Sequence, residues 1–350
     1  MSTLTRPAGV NRNDAAGSER LPVLDGWRAL SILLVIAGHW FPLNAVLPGA
    51  NNAAGAGGMA LFFTLSGFLI TSFLLQRPEP RPFLIRRTLR IVPLAWLAVA
   101  VLFLAAWWQG RVAGDAGHLV ANLLFYGNLP PAKLFPGGEH LWSLAVEMHF
   151  YFGVALLVAV GGRRGLYLLP ALALAVTALR IIDSEPISIV TWHRVDEILA
   201  GAIVALVFRG ALGERAVSLL RGTNFIAAAA IAAACVYFLD TPLAYLRPYA
   251  VALMVGVSLY HVPRWLEAVL VSAPARYIAQ ISYALYVFHL MFEHTWLGSG
   301  GTLEKYAKRP LLMLVTWGAA HLSTFHYEQR FTDLAQRLTR SGPRKPLRTY

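Results

Sequence analysis

Charged side chains are scarce in this sequence, 14% of 350 residues, where a soluble domain carries about 25%. That shortfall argues against an ordinary soluble enzyme. Cysteine occurs once, as Cys235 in an Ala-rich run. A single thiol excludes disulfide frameworks, four-cysteine zinc sites and CxxC redox chemistry, and leaves packing as its simplest role. No GxSxG elbow, HExxH helix or Walker loop is present. Gly55-Ala-Gly57-Gly-Met-Ala60 fits a dinucleotide pattern only loosely. No strand precedes it and an apolar helix follows, so small-residue helix packing explains it better. Nor does an internal repeat of the transporter type emerge. Met1 to Arg20 is polar, carries Arg6, Arg12 and Arg20, and lacks a small-residue cleavage site, so it reads as a tail rather than a secretory signal.

What is abundant is apolar surface: 57% of residues are hydrophobic, with a mean hydropathy of +0.55. A helix crossing the hydrocarbon needs about 20 mostly apolar residues. Runs near that length lie at 29–43, 55–75, 91–109, 140–160, 166–182, 194–208, 224–240, 243–260, 277–297 and 310–327. They predict an all-α, polytopic membrane bundle of about ten transmembrane helices. Residues 1–23 and 330–350 are expected as basic cytoplasmic tails around a membrane domain at 24–329.

Basic residues, 30 against 18 acidic ones, give a net charge of +12. With the amino terminus inside, 22 of the 30 fall on inner segments and 8 on outer ones. That asymmetry is the positive-inside pattern, so basicity reports topology and nucleic acid is not needed as a partner. The weaker apolar run from His118 to Leu129 is expected as a re-entrant or interfacial helix on the outer side. Counting it as a span would invert every later segment and send Arg163 and Arg164 outward.

Ionisable groups inside such runs cost on the order of 2.5–3.5 kcal/mol each, so they normally face a cavity or a partner. Eleven residues separate Arg28 from His39, which returns to within about 20° of the same helix face, on the order of 16 Å along the axis. One helix thus offers a cation near the inner surface and an imidazole deep within. His140, Ser143 and Glu147 share a face by their spacing. A carboxylate beside an imidazole fixes its tautomer and raises its basicity, which makes His39 with Glu147 a candidate base for a hydroxyl proton. A packing histidine and an arginine-paired glutamate are the plainer roles for each alone. Arg86, Arg87 and Arg90 form a compact guanidinium group suited to phosphate, although positive-inside sorting would place arginines there too. Arg194 opens a run with Asp196 and Glu197, and Gly201 allows close helix approach. Ser282, Tyr286, His289 and Glu293 form a polar stripe that must face protein or water. Ser66 reads as packing beside Gly67.

At these residues the chain resembles acyltransferase family 3, integral membrane enzymes that move acyl groups from acyl-CoA to carbohydrates and related hydroxyl compounds. Arg28 with His39 is similar to the family's R-x10-H opening. Phe63-Thr-Leu-Ser66-Gly67-Phe68 resembles its second-span signature, Arg87-Thr-Leu-Arg90 its RxxR motif, and Trp142-Ser143-Leu-Ala-Val-Glu147 its W-S-L-x-V-E element. Two departures are Ile198, where the family often has phenylalanine, and Tyr327-Glu328-Gln329-Arg330, which lacks the proline commonly following that glutamate. The resemblance implies an inner-membrane O-acyltransferase with acetyl-CoA as donor and no metal or prosthetic group. His39 and Glu147 would be catalytic, His39 as general base or as transient carrier of the acyl group and Glu147 orienting His39 or shuttling its proton, with Arg28, Arg86, Arg87 and Arg90 on the CoA phosphates. Ser143, Arg194 and His289 are further candidates for substrate contact. The same intramembrane charges would also suit a proton-coupled transporter or a flippase of lipid-linked sugar.

Overall fold

The computed structural model describes residues 21–108 and 116–339, so most of the expected amino-terminal tail and the last residues of the carboxy-terminal one lie outside the described residues. Every described regular element is helical. The first three helices are long: α1 (Pro22–Trp40), α2 (Ala50–Gln76) and α3 (Pro80–Trp108). A short α4 (Ala116–Leu123) follows, then α5 (Trp142–Gly161) and α6 (Leu169–Ile182). Next come α7 (Thr191–Arg194), α8 (Asp196–Phe208), α9 (Glu214–Gly222), α10 (Phe225–Tyr237), α11 (Arg247–Ser258) and α12 (Arg264–Leu270). The chain ends on α13 (Ala273–Glu293), α14 (Thr302–Ala307), α15 (Arg309–Leu322), a π-helical turn at Ser323–Glu328, and α16 (Gln329–Thr339).

All ten apolar runs contain helix, but they are not equally long. Pro22–Trp40, Ala50–Gln76, Pro80–Trp108 and the continuous Glu139–Ile182 stretch have the length and hydropathy of membrane spans. Counting the bent pair α9 and α10, which meet at 85°, as one span makes a fifth. α8, α10 and α11 hold 12 or 13 residues each. At 1.5 Å per residue they rise about 18–20 Å, short of a hydrocarbon core about 30 Å thick. The run at 243–260 is interrupted ahead of Pro248, and α7 gives way to α8 at Val195, whereas α15 continues through the π-helical turn into α16.

α2 is the hub, packed between α1 and α8. Glycine makes the second contact close: a Cβ on Gly67 would fall 1.8 Å from the Ile198 carbonyl oxygen, and one on Gly201 2.0 Å from that of Thr64. The two backbones touch at both points, which no larger residue permits. The expected carboxy-terminal tail begins otherwise: Gln329–Thr339 is a helix laid against α3, with Ala335 and Thr339 buried. α4 is eight residues long and too short to cross. After it the chain turns into the bundle, where Asn128 is fully buried and donates to the Ile189 carbonyl and Thr191 Oγ1. Leu141, Leu144 and Ala145 then line a small cavity with Ala95 and Val99, residues at the middle of α3. α5 therefore starts halfway into the bundle rather than at its rim.

Candidate active site

α1 and α2 run antiparallel, and their closest approaches fix the register. Gly38 lies against Asn51 and Gly55, and Gly58 lies against Ser31 and Val35, with Ser31 Oγ donating to the Gly58 carbonyl at 2.8 Å. Continuing that register, Ser66 is level with the Asp25 end of α1. Ser66 Oγ and Tyr151 Oη both donate to Glu147 Oε1 at 2.5 Å. Glu147 therefore sits at the Arg28 end, on the order of 15–20 Å from His39 along the helix axis. No hydrogen bond or ion pair joins the two residues, and the expectation that Glu147 orients His39 is corrected. The reason is the deep start of α5, which carries Glu147 into the half of the bundle that holds Arg28.

Around Glu147 the arginines gather. The Arg87 guanidinium lies 5.8 Å from the Tyr151 ring centroid. Arg28 feels the charges of Arg90, Asp25, Arg87 and Glu147, while Arg90 feels Arg87, Tyr151, Glu328 and Glu147. Arg90 is exposed and Arg28 and Arg87 are half-buried, so the group lines an accessible surface. Arg86 turns away: its Nε donates to Thr339 Oγ1 at 2.7 Å, tying α3 to α16. It stabilises that helix contact, whatever its charge adds at a distance. Glu328 ends the π-helical turn, accepting from Ser323 at 2.9 Å and Thr324. Such turns recur at functional sites because they redirect side chains.

At the opposite end of α1, His39 meets imidazoles rather than a carboxylate. Its Nδ1 is 2.8 Å from the Val35 carbonyl, an acceptor, so the proton is on Nδ1 and Nε2 is the base. The ring centroid is 5.1 Å from that of His289, which is 4.9 Å from His140. His39 is exposed, whereas His140 and His289 are buried. Tyr286 Oη donates to the His140 carbonyl and accepts from Ser143 Oγ at 2.6 Å. The polar stripe on α13 thus faces protein, and it brings Ser143 and His289 to the same place. It ends at Glu293, which pairs with Arg309 at 2.8 Å.

Arg194 belongs to a different group. It lies over the Trp142 ring at 5.3 Å and 3.4 Å from Glu197, which also pairs with Arg247 at 2.8 Å. Arg180 pairs with Asp196 close by. These are buried ion pairs linking α6, α8 and α11. Among the described residues, no three His, Cys, Asp or Glu side chains are arranged to hold a metal ion.

A narrow seam of about 10 Å³ lies along α1 beside Arg28, lined by Arg28, Ser31, Ile32, Val35, Met59, Phe62, Ser282 and Tyr286 and by none of the three imidazoles. That volume admits about one water, so a larger occupant requires the Met59 and Phe62 side chains to move. Tyr151 was absent from the expected site, although it lies four residues after Glu147 on the same helix face and is the natural partner there. Ser66, expected only to pack, holds the carboxylate instead.

A bundle of apolar helices with arginines at one end and solvent-accessible imidazole at the other defines an all-helical membrane protein. Its sequence matches the acyltransferase domain, family 3, over residues 21–319, and the chain belongs to that family. It is 28% identical to YrhL of Bacillus subtilis, provisionally named a peptidoglycan O-acetyltransferase, over 77% of this chain and 48% of that one. The peptidoglycan O-acetyltransferase OatA of Listeria monocytogenes is 28% identical over 41% of this chain and 25% of its own. The exopolysaccharide production protein ExoZ of Rhizobium meliloti is 29% identical over 69% and 77%. The chain thus spans about half of YrhL and a quarter of OatA. No solved structure matches it.

Proposed function

We propose that this protein transfers an acetyl group from acetyl-CoA to a hydroxyl of a carbohydrate or glycosylated acceptor. It would do so from a bacterial inner membrane, crossing about ten times with both ends in the cytoplasm. The observation that carries this reading is the placement on one helix of Arg28 among arginines and of an accessible His39 among imidazoles, with the seam beside Arg28 between them. Arg28, Arg87 and Arg90 suit the CoA phosphates, as the RxxR resemblance implies. The seam, once opened, would take the pantetheine arm toward His39.

His39 Nε2 then takes the acceptor's hydroxyl proton while the oxygen bonds to the acyl carbon. The carbon–sulfur bond breaks and the sulfur receives that proton, leaving ester and free thiol. Glu147 acts at the donor end, holding Tyr151 under Arg87 and balancing the cations. The relatives' names, peptidoglycan and exopolysaccharide proteins, support a polymer or oligosaccharide acceptor.

The test is thiol release by purified protein in nanodiscs supplied with acetyl-CoA and a panel of sugars. His39→Ala should abolish release. Arg90→Ala should restore it only at higher acetyl-CoA. A folded wild type that binds no acetyl-CoA would refute the reading and favour sugar transport without acyl consumption.

A further inference from the structure

The ring nearest His39 comes from α13 rather than α5. A general base that takes a proton acquires a positive charge, and neighbouring groups able to accept a hydrogen bond or face that charge favour it. Glu147, the carboxylate expected for this task, is engaged by Ser66 and Tyr151 at the other end of α1. Two histidines are present instead, and their hydrogen bonds fix their tautomers. His289 Nδ1 donates to the Tyr286 carbonyl at 2.6 Å, and His140 Nε2 donates to the Val287 carbonyl at 3.0 Å. Each ring therefore keeps its lone pair on the opposite nitrogen. Both of those nitrogens, His289 Nε2 and His140 Nδ1, are buried and have no hydrogen-bond partner.

Buried acceptors are normally satisfied, and one left open next to a reactive group calls for an explanation. Here two electron-rich nitrogens stand in the cluster that contains His39, and its charged form is what they suit. The arrangement is held by backbone carbonyls of α13 and by Tyr286, which bridges Ser143 and the His140 carbonyl. Resting on the acyl-transfer reading above, we propose that His289 is a positioning residue for that chemistry. Its neutral imidazole presents a free Nε2 lone pair that stabilises the charge His39 acquires, with His140 as the second such ring. Proton balance is unchanged. The hydroxyl proton goes to His39 and on to the leaving sulfur, and His289 neither gains nor loses one.

This role is separable from packing. Replacing His289 by leucine removes the lone pair, whereas glutamine keeps an amide oxygen able to accept near the same point. The assay is thiol release from acetyl-CoA in nanodiscs with ethanol, 2-fluoroethanol and 2,2,2-trifluoroethanol as acceptors. These alcohols grow more acidic in that order. Wild type, His289→Leu and His289→Gln are compared, each passed through size exclusion to confirm folding. His289→Leu should lower kcat with ethanol by about 10²-fold, in the range of general-base effects, with KM for acetyl-CoA within about twofold. The loss should shrink steadily toward trifluoroethanol, whose proton needs less help, and His289→Gln should recover part of it. An equal loss at every alcohol, or glutamine no better than leucine, overturns the proposal and leaves His289 a packing residue. A folded wild type that binds no acetyl-CoA refutes the acyl-transfer reading itself, a result distinct from turnover that His289→Leu leaves unaltered.

Discussion

If Glu147 and His39 work at opposite ends of one helix, their substitutions must not interact. The perturbation is a cycle of His39→Ala, Glu147→Gln and the double variant, read as the dissociation constant of CoA, which needs no turnover. Glu147 accepts two hydroxyl hydrogen bonds, one of them from the tyrosine beneath Arg87. Bonds to a charged group contribute about 1.5–3 kcal/mol and neutral ones about 0.5–1.5, so the neutral amide weakens the hold on Tyr151 by about 1–2 kcal/mol. CoA binding should weaken by about five- to thirtyfold. Sites farther apart than about 7–10 Å with no shared partner add to within about 0.3–0.5 kcal/mol, and these lie roughly twice that distance apart along α1. The factor for Glu147→Gln should therefore be the same, within about twofold, with and without His39. Isothermal titration in nanodiscs measures it. A Glu147→Gln effect that vanishes in the His39→Ala background would mean the two are coupled, and would refute the separation argued from the α1–α2 register.

Two further outcomes follow from the packing and from the arginines. Gly67→Ala or Gly201→Ala forces a carbon to within 1.8 or 2.0 Å of a facing carbonyl oxygen. Each should cost about 1–3 kcal/mol or more as α2 and α8 part, and the double variant should cost less than the sum, since one separation relieves both. Cys235, 1% exposed and the only cysteine, allows a thiol-reactive dye to follow the melt; an unchanged midpoint would contradict the contact. Arg87→Gln and Arg90→Gln should raise KM for acetyl-CoA about tenfold or more, as expected for charge-assisted phosphate contacts. Arg86→Gln, whose side chain is spent on Thr339, should leave KM within about twofold; an equal rise for all three would restore Arg86 to the phosphate site.

Some of this arrangement is legible along the chain because it depends on single helices. Helical spacing alone puts Arg28 and His39 on one face, and the α13 stripe can be seen as unfit for lipid before any partner is known. Gly201 reads as a close-approach residue for the same local reason. The number of crossings is harder to read, because apolar runs of adequate length fold into helices of 12 to 14 residues with bends and turns at their ends. Hydropathy reports the run and not the break.

What could not be read is depth. The partner of Glu147 depends on where α5 starts, and that is set by residues far from the motif. Asn128 is anchored to Ile189 and Thr191, which draws the segment before Trp142 into the bundle beside the middle of α3. A start at the rim would have left Glu147 within reach of His39; the inward loop moves it several turns toward Arg28. Two motifs that the chain's family resemblance assigns to one chemistry then stand at separate places. The carboxylate serves the arginines, and the imidazole is left with neighbours of its own kind. The ends of α1 thus have different helices as neighbours, α5 at Arg28 and α13 at His39, and on the acyl-transfer reading proposed above donor affinity and acceptor reactivity should each respond to substitution without disturbing the other.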